Sequence, residues 1–292
     1  MFYRPHLDPS RPVIVSCAMS GVVANRAQCP AIPYTPEEYA KEAKRAYEAG
    51  AVAMHIHART PDGTPSFAIE DYRNIRDAIV AECPVIINFS TGALGVSVEE
   101  RIAYLRAVKP AVAALNMGSM NYAKYNAAKK KFVFDFVFPN PHAEIMAFVA
   151  AMREEGIRPE MECFDLGHVG SARVLADMGL VDRPYMMSLV MGVVGGIPAT
   201  TENLCHMANQ LPEGAEWQVV GISHDQWRLC AAACALGGNV RVGLEDNFYV
   251  SEGQMATSNG DLVAKVVRMV KDQGRKLATV EEARARLGTK HV

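Results

Sequence analysis

The stretch TPEEYAKEAKRAYEAGAVAMHIHA, residues 35–58, joins a predicted helix directly to a predicted strand. Thr35 is a favourable N-cap, Pro36 suits the first helical position, and Gly50 is a typical helix end. The next run, residues 51–58, is short and apolar, which is typical of a strand. A helix followed so closely by a strand indicates an α/β unit.

The same alternation of short apolar runs with helical segments continues along the whole chain. Seven further runs predict strands: PVIVSCA (12–18), PVIINFS (84–90), AVAALNM (111–117), RPEMECF (158–164), PYMMSLV (184–190), EWQVVGI (216–222) and NVRVGLE (239–245). Eight strands separated by helices favour a parallel (β/α)8 TIM barrel over an open sheet, and no GxGxxG follows the first strand. We therefore predict one α/β domain over residues 1–292.

Two segments are additions to this repeating pattern. Residues 118–139, after the fourth strand, are too long for a simple loop and contain Lys129 to Lys131 and the run FVFDFVF. This excursion either covers the mouth of the barrel or meets a neighbouring subunit. The segment LATVEEARARL, residues 277–287, predicts one extra C-terminal helix.

Composition excludes several function classes. Half of the 292 residues are apolar and the net charge is −2, so nothing favours nucleic acid or an anionic membrane surface as a partner. No apolar run reaches the roughly 20 residues that span a bilayer, and MFYRPHLDPSRP lacks the pattern of a signal peptide. Seven cysteines without a CxxC pair indicate reduced thiols in a cytoplasmic protein.

A pair of histidines on the second strand is the strongest indication of chemistry. Active sites of TIM barrels form at the carboxyl ends of the strands. His55 and His57 are two residues apart, so both side chains lie on one face, which in a barrel can be the interior. Glu245, at the end of the last strand, is placed to complete a set of two histidines and one carboxylate, a common catalytic zinc site. The alternative is a pair of hydrogen-bonded histidines in a polar cleft.

Other strand ends also carry polar groups. The turn FSTGA, residues 89–93, offers hydroxyls and backbone N–H groups to an anion such as a carboxylate. Arg241 is predicted to form a charge-assisted pair with Asp246, which is either functional or an ordinary ion pair of the barrel end. Glu160 and Glu162 both point inward from the fifth strand, and one of them is expected to be only structural.

These motifs together resemble the β-keto acid cleavage enzymes, a family whose founding activity is the cleavage of 3-keto-5-aminohexanoate. The resemblance extends from about residue 13 to residue 287. The motifs that carry it are TPEEYAKEAK in the first helix, the His-x-His strand, STG, LN-x-G, PE-x-E and Gly243-Leu244-Glu245-Asp246-Asn247. No single motif is specific, but their order and spacing together are.

The resemblance implies a zinc-dependent exchange in which a β-keto acid and acetyl-CoA give acetoacetate and a new acyl-CoA. It implies a homotetramer as well. By position, the implied zinc ligands are His55, His57 and Glu245, and the implied catalytic residues are Ser90, Glu162, Arg241 and Asp246. The implied substrate contacts are Thr91, Gly92 and Asn116, together with position 23.

Position 23 is where this chain departs from the pattern of the family. The founding enzyme has a glutamate there, which is associated with the ammonium group of its substrate, whereas this chain has Val23. An isopropyl group is a poor counter-ion for an amine. We therefore expect a β-keto acid without a primary ammonium tail. Dehydrocarnitine stays an alternative, because aromatic faces bind quaternary ammonium groups without a carboxylate.

Two other classes of function remain open from the residues alone. A second metal-dependent barrel enzyme, such as a class II aldolase or an amidohydrolase-like hydrolase, would share the zinc site without needing a thioester. A non-catalytic barrel that binds a small ligand or a partner predicts neither a bound metal nor dependence of activity on His55.

Overall fold

The computed structural model describes residues 5–291, in which eight parallel strands close into one barrel. In chain order the strands are β1 (Val15–Ala18), β2 (Ala53–Ile56), β3 (Ile86–Ser90), β4 (Val112–Asn116), β5 (Met120–Asn126), β6 (Lys131–Phe138), β7 (Arg158–Cys163), β8 (Tyr185–Met191), β9 (Ala215–Gly221), β10 (Asn239–Val242), β11 (Tyr249–Ser251) and β12 (Gln254–Met255). Strands β5 and β6 form one hairpin and β11 and β12 another, and the others form the barrel. The predicted TIM barrel is confirmed.

Helices follow the barrel strands as the sequence pattern predicts. They are α1 (Pro36–Ala49), α2 (Ile69–Glu82), α3 (Val98–Val108), α4 (His142–Glu155), α5 (Leu166–Asp177), α6 (Thr201–Asn209), α7 (Gln226–Ala235), α8 (Asn259–Asp272) and α9 (Val280–Leu287). At the start of α1, Thr35 Oγ1 accepts a hydrogen bond from the backbone N–H of Glu38, and the Glu38 carboxylate accepts one from that of Thr35. This capping box satisfies two N–H groups that the first helical turn leaves unpaired.

The last barrel strand is shorter than predicted. The sequence pattern extends it over residues 239–245, whereas β10 ends at Val242. Gly243 then adopts a positive φ of 147°, which ends the regular strand. Glu245 therefore lies in the turn that follows and not on the strand itself.

The amino end of the barrel is closed by the extra C-terminal helix. Inward-facing residues Ile14, Ile86 and Met186 form an apolar layer, and Val280 and Leu287 of α9 pack in the same cluster. Burial of this apolar surface stabilises the closed end of the barrel. Substrate must therefore approach from the carboxyl ends of the strands, as in other TIM barrels.

A belt of hydrogen-bonded polar side chains lies above this apolar layer. Glu160 is fully buried and accepts hydrogen bonds from Asn88, Ser188 and Gln218. The Ser16 hydroxyl donates to the side-chain amide oxygen of Gln218, Oε1, at 2.8 Å. Neutral donors thus satisfy the Glu160 carboxylate, which agrees with the expectation that one of the two inward glutamates is structural.

The excursion after the fourth strand folds back as the β5–β6 hairpin. Its strands pair from Met120–Phe138 to Asn126–Lys131, with one shift of register between Lys124 and Tyr125. The Ala123 N–H donates to the Val194 carbonyl at 3.2 Å, which fixes the hairpin to the loop after β8. Of the two expectations for this segment, coverage of the barrel mouth is the one that the fold supports.

All seven cysteines are unpaired. Among residues 5–291, no helix has both the length and the apolar character needed to cross a bilayer.

Candidate active site

The two histidines and Glu245 meet at the carboxyl end of the barrel. His55 lies on β2 and His57 just beyond it, and the Nε2 atom of each is 3.5 Å from Glu245 Oε1. The three side chains each offer a ligand atom, and these atoms all lie within 4.8 Å of one another. Two imidazoles and one carboxylate at this spacing are a donor set that suits a catalytic zinc ion, with coordination positions left for substrate.

Glycines set the position of Glu245. A methyl group on Gly243 would lie 2.1 Å from the Ala18 carbonyl oxygen, so only glycine allows the chain to pass there. The Glu245 N–H then donates to the same carbonyl at 3.2 Å. On the opposite side, a methyl group on Gly21 would lie 2.7 Å from Glu245 Cγ. The end of β1 and the loop that follows it thereby fix the position of the Glu245 side chain.

Unsatisfied polar atoms in this cluster support its fit to a metal ion. Within the described residues, Glu245 Oε2 and His55 Nδ1 are buried without a hydrogen-bond partner. Burial, followed by the charge of Arg241, lowers the pKa of His55, which favours the neutral imidazole that binds metals. Buried polar atoms are normally paired, so this set is incomplete without a ligand. A divalent cation bound by these side chains would pair with the Glu245 carboxylate.

Arg241 joins the carboxylates of the site. It is buried and donates two hydrogen bonds of 3.0 Å to Asp246, one of 2.8 Å to Glu245 Oε1 and one of 3.0 Å to Glu162 Oε1. Burial opposes its charge, but Asp246, Glu245 and Glu162 raise the pKa of Arg241 well above its ordinary value. Three carboxyl groups thus surround one guanidinium, and the negative charge that they carry when ionised suits a bound cation.

Two of these carboxyl groups have unusual acidities. Burial raises the pKa of Glu162 to about 8 and that of Asp246 to about 7, and in both cases Arg241 opposes the change. Carboxyl groups whose pKa lies near neutral pH are typical of sites that transfer protons.

The residues at the ends of β3 and β4 form the adjoining wall. Ser90 and Asn116 are buried and face the interior, and Ser90 Oγ accepts a hydrogen bond from the Gly92 N–H at 3.2 Å. Thr91 donates its hydroxyl to the Ala114 carbonyl at 2.5 Å, so this proton is already engaged. In the described part of the chain, no hydrogen bond joins Ser90 to Arg241 or Asp246. A proton relay between them therefore needs substrate or water in the gap.

Val23 lies on the loop after β1, at the edge of the same opening, and 57% of its surface is exposed. The buried Arg59 holds this loop by donating to the carbonyls of Gly21 and Ala24. The Tyr39 hydroxyl donates to the His57 carbonyl at 2.6 Å and so positions the second histidine. Neither Arg59 nor Tyr39 was predicted from the sequence, although Arg59 lies only two residues after His57.

Other side chains singled out by the sequence stand apart from this cluster. The His224 side chain is 81% exposed and lies 3.7 Å from Asp225. Lys129 and Lys130 lie in the exposed turn of the β5–β6 hairpin, and Lys131 is the exposed first residue of β6.

Several known proteins resemble this chain over nearly its whole length. The family model described as beta-keto acid cleavage enzyme matches residues 12–289. The chain is 38% identical over 280 residues to the 3-keto-5-aminohexanoate cleavage enzyme of Fusobacterium nucleatum subsp. nucleatum, covering 95% of this chain and 98% of that protein. It is 32% identical over 303 residues to the 3-dehydrocarnitine:acetyl-CoA trimethylamine transferase of Rhizobium meliloti, covering 96% and 98%.

Solved structures show the same fold. The apo structure of ObcA superimposes with a TM-score of 0.77 at 20% identity, and the match covers 90% of this chain and 66% of the ObcA chain. At this identity the likeness extends to the fold alone.

Proposed function

Because the chain belongs to the beta-keto acid cleavage enzyme family and is an acyltransferase of that kind, we propose that it is a zinc-dependent enzyme for β-keto acids without a primary ammonium tail. The observation that carries the proposal is the donor set of His55, His57 and Glu245 beside the Arg241–Asp246 pair. The chain exchanges acyl groups between the β-keto acid and acetyl-CoA, and the products are acetoacetate and a new acyl-CoA.

The proposed roles follow from the contacts in the site. His55, His57 and Glu245 would hold a zinc ion, which would act as a Lewis acid toward the keto oxygen. Arg241 fixes the carboxylates of Glu245 and Asp246, so that the metal set and the acid–base group keep one relative position. Ser90 would receive the proton from carbon two of the substrate and pass it on to Asp246.

The bonds change in four steps. The carbanion at carbon two attacks the carbonyl of acetyl-CoA, and the CoA thiolate leaves. This thiolate adds to the original keto carbon, the bond between that carbon and carbon two breaks, and the proton held by the enzyme returns to carbon two. Gly92 and Asn116 would bind the substrate carboxylate, Thr91 would support that turn, and Glu162 would assist the later steps. No cysteine nucleophile is required.

A substrate panel tests the function. We expect the purified protein to form acetoacetate from acetyl-CoA and 3-oxohexanoate, and to prefer this acid to 3-keto-5-aminohexanoate. Acetyl-CoA-independent turnover would instead favour a class II aldolase-like lyase or a hydrolase. Dehydrocarnitine belongs in the panel as the second candidate substrate, since one relative at 32% identity is named for it. A strong preference for the primary amine would contradict the proposal.

Replacing Val23 with glutamate is expected to shift this preference toward the amine. A carboxylate at the edge of the opening can pair with the ammonium group, and a hydrogen bond to a charged group contributes about 1.5–3 kcal/mol. Because position 23 is 57% exposed, we expect the lower end of this range, a gain of roughly tenfold in kcat/KM for 3-keto-5-aminohexanoate relative to 3-oxohexanoate. Steady-state kinetics with both acids measure the ratio.

Val133→Glu is the matched control, because Val133 is 58% exposed and lies on the outer part of the hairpin. It adds the same charge and should leave the ratio unchanged. An equal shift in both variants would assign the effect to net charge and would exclude Val23 as the tail-contacting position.

We also propose that the enzyme acts in the cytoplasm as a homotetramer built from single-domain barrels, without nucleic acid or membrane partners. The family resemblance supports the tetramer, and the unpaired cysteines agree with a reducing compartment.

A further inference from the structure

One side of the barrel mouth is apolar. Buried side chains from the β5–β6 hairpin and from the ends of β7, β8 and β9 form a separate cluster, with three partly buried side chains at its edge. We call this cluster the apolar sector; its members are Met120, Phe138, Phe164, Val190, Val193 and Val220, with Tyr122, Phe136 and Ile222 at its edge. It is distinct from the main core between barrel and helices.

The strand order places the apolar sector across the mouth from the proposed metal set. Around the barrel the order is β1, β10, β9, β8, β7, β4, β3, β2, so β8 lies opposite β2, which carries His55. On β8, Ser188 faces the interior and hydrogen bonds to Glu160, and Val190 faces the same way because it is two residues further on. Val220 of β9 follows Gln218, another interior residue, in the same manner. Both valines thus point into the barrel near its carboxyl end and not toward the helix layer.

The hairpin adds aromatic rings to this side. Tyr122 stacks on Phe136 with ring centroids 5.4 Å apart, and it meets Phe138 and Phe164 edge to face at 5.9 Å and 6.3 Å. Burial raises the pKa of Tyr122 above its ordinary value, and the charge of Glu245 adds to this rise. Four aromatic rings thus meet where the hairpin packs on the barrel.

The apolar sector is continuous with the substrate-binding turn. A methyl group on Gly92 would lie 3.5 Å from the ring tip of Phe138, 3.5 Å from Asn116 Nδ2 and 3.6 Å from Ser90 Oγ. The aromatic face thus begins where the polar groups proposed to hold the substrate carboxylate end. A molecule bound at the metal set and at this turn would have the ring of Phe138 beside its remaining atoms.

We propose that the apolar sector binds the tail of the β-keto acid, so that the natural substrate carries an uncharged aliphatic or aromatic tail of several carbons. This inference rests on the proposed function and specifies its substrate class. Val23 lies on the loop after β1, which is next to β2, the strand across the mouth from β8, so the test at position 23 is independent of this assignment. The hairpin residue Phe136 becomes a determinant of specificity.

The first test uses the unmodified enzyme with acids of increasing tail length. For 3-oxopentanoate, 3-oxohexanoate and 3-oxoheptanoate, we expect kcat/KM to rise roughly fourfold with each methylene that becomes buried. Dehydrocarnitine and its neutral isostere 5,5-dimethyl-3-oxohexanoate form a matched pair, and the neutral acid should be the better substrate. A flat or falling series overturns the proposal, and so does a clear preference for the quaternary ammonium.

The second test changes the hairpin. Phe136→Ala should lower kcat/KM for 3-oxoheptanoate roughly tenfold, because the lost ring contact equals one to two buried methylenes, and should affect 3-oxopentanoate much less. Phe132→Ala is the matched control: it lies on the same strand, is 51% exposed and belongs outside the apolar sector. It should not change the ratio between the two acids. Equal ratios in both variants and in the wild type overturn the assignment.

Binding of unreactive acids separates this inference from the function on which it rests. Calorimetry should show hexanoate binding more tightly than butanoate to the wild type, and this difference should shrink in Phe136→Ala. If acetoacetate forms from all acids without any dependence on tail length, only the apolar-tail assignment is wrong. If no acid gives acetoacetate with acetyl-CoA, both the function and the assignment are wrong.

Discussion

Replacing Arg241 with methionine is expected to destabilise the protein by about 3–5 kcal/mol and to lower kcat/KM roughly a hundred- to a thousandfold. The buried guanidinium donates to Asp246, Glu245 and Glu162, and methionine fills a similar volume without donating. Three carboxylates would then lie close together with no cation between them. Urea unfolding gives the change in the free energy of unfolding, and acetoacetate formation gives the change in activity.

Arg275→Met separates this effect from the loss of any buried arginine. Arg275 is also buried, but it donates to the backbone carbonyls of Arg11, Cys234 and Gly238, away from the metal set. This variant should lose stability and keep the kcat of the folded enzyme. If Arg241→Met fails to fold, Arg241→Lys keeps the charge but has three donors on one nitrogen, which cannot reproduce the four hydrogen bonds of the planar guanidinium. It should fold with a strongly reduced kcat. Near-normal kcat in Arg241→Lys would contradict the proposed role.

The second large effect is expected when His55 is replaced by alanine. Without this imidazole, only two of the three proposed ligands remain. A ring nitrogen of His55 also lies within 4.8 Å of a carboxylate oxygen of Glu160 and of Glu162. We expect the variant to lose stoichiometric zinc. Activity should fall roughly a thousandfold or more, since Lewis-acid stabilisation of the transition state amounts to several kcal/mol. Elemental analysis and Co²⁺ absorption spectra of the purified protein measure the metal directly.

His224→Ala is the control, because the His224 side chain is 81% exposed and has its closest charged neighbour in Asp225, on the same turn. It should retain both zinc and activity. Circular dichroism of His55→Ala should match that of the wild type, so that loss of metal is not a consequence of unfolding. Retention of one zinc ion per chain by folded His55→Ala would exclude the proposed ligand set.

The alternation of strands and helices was predictable, because residues close together in the chain determine it. Every predicted strand corresponds to a barrel strand, and α1 begins after Thr35 and ends before Gly50, as its caps predict. The limit appears at the strand ends: β1 and β10 each have four residues instead of the seven predicted, and β2 has four instead of eight. The hydrophobic pattern continues through Gly243, but the close approach to Ala18 comes from another strand and cannot be seen in the run itself.

Part of the candidate site was predictable from the sequence and part was not. Residue identity together with strand position was enough to predict the His55–His57–Glu245 set and the pair of Arg241 and Asp246. The contact between Arg241 and Glu162 joins residues 79 positions apart, and no local pattern predicts it. Arg59 and Tyr39 were missed for the same reason, since each acts through backbone carbonyls that a sequence motif does not specify.

The sequence by itself determined the barrel, its order of elements and the residues at its carboxyl end, because helical and strand periodicities and the caps act over a few residues. Only the tertiary structure decided that one guanidinium donates hydrogen bonds to three carboxyl groups. It also decided that the aromatic side chains of the β5–β6 hairpin pack at the barrel mouth. Both depend on closure of the barrel, which brings β10 against β1 and sets β8 opposite β2. Closure joins residues that are far apart in the sequence, so no single stretch of the chain predicts the charge and shape of the mouth.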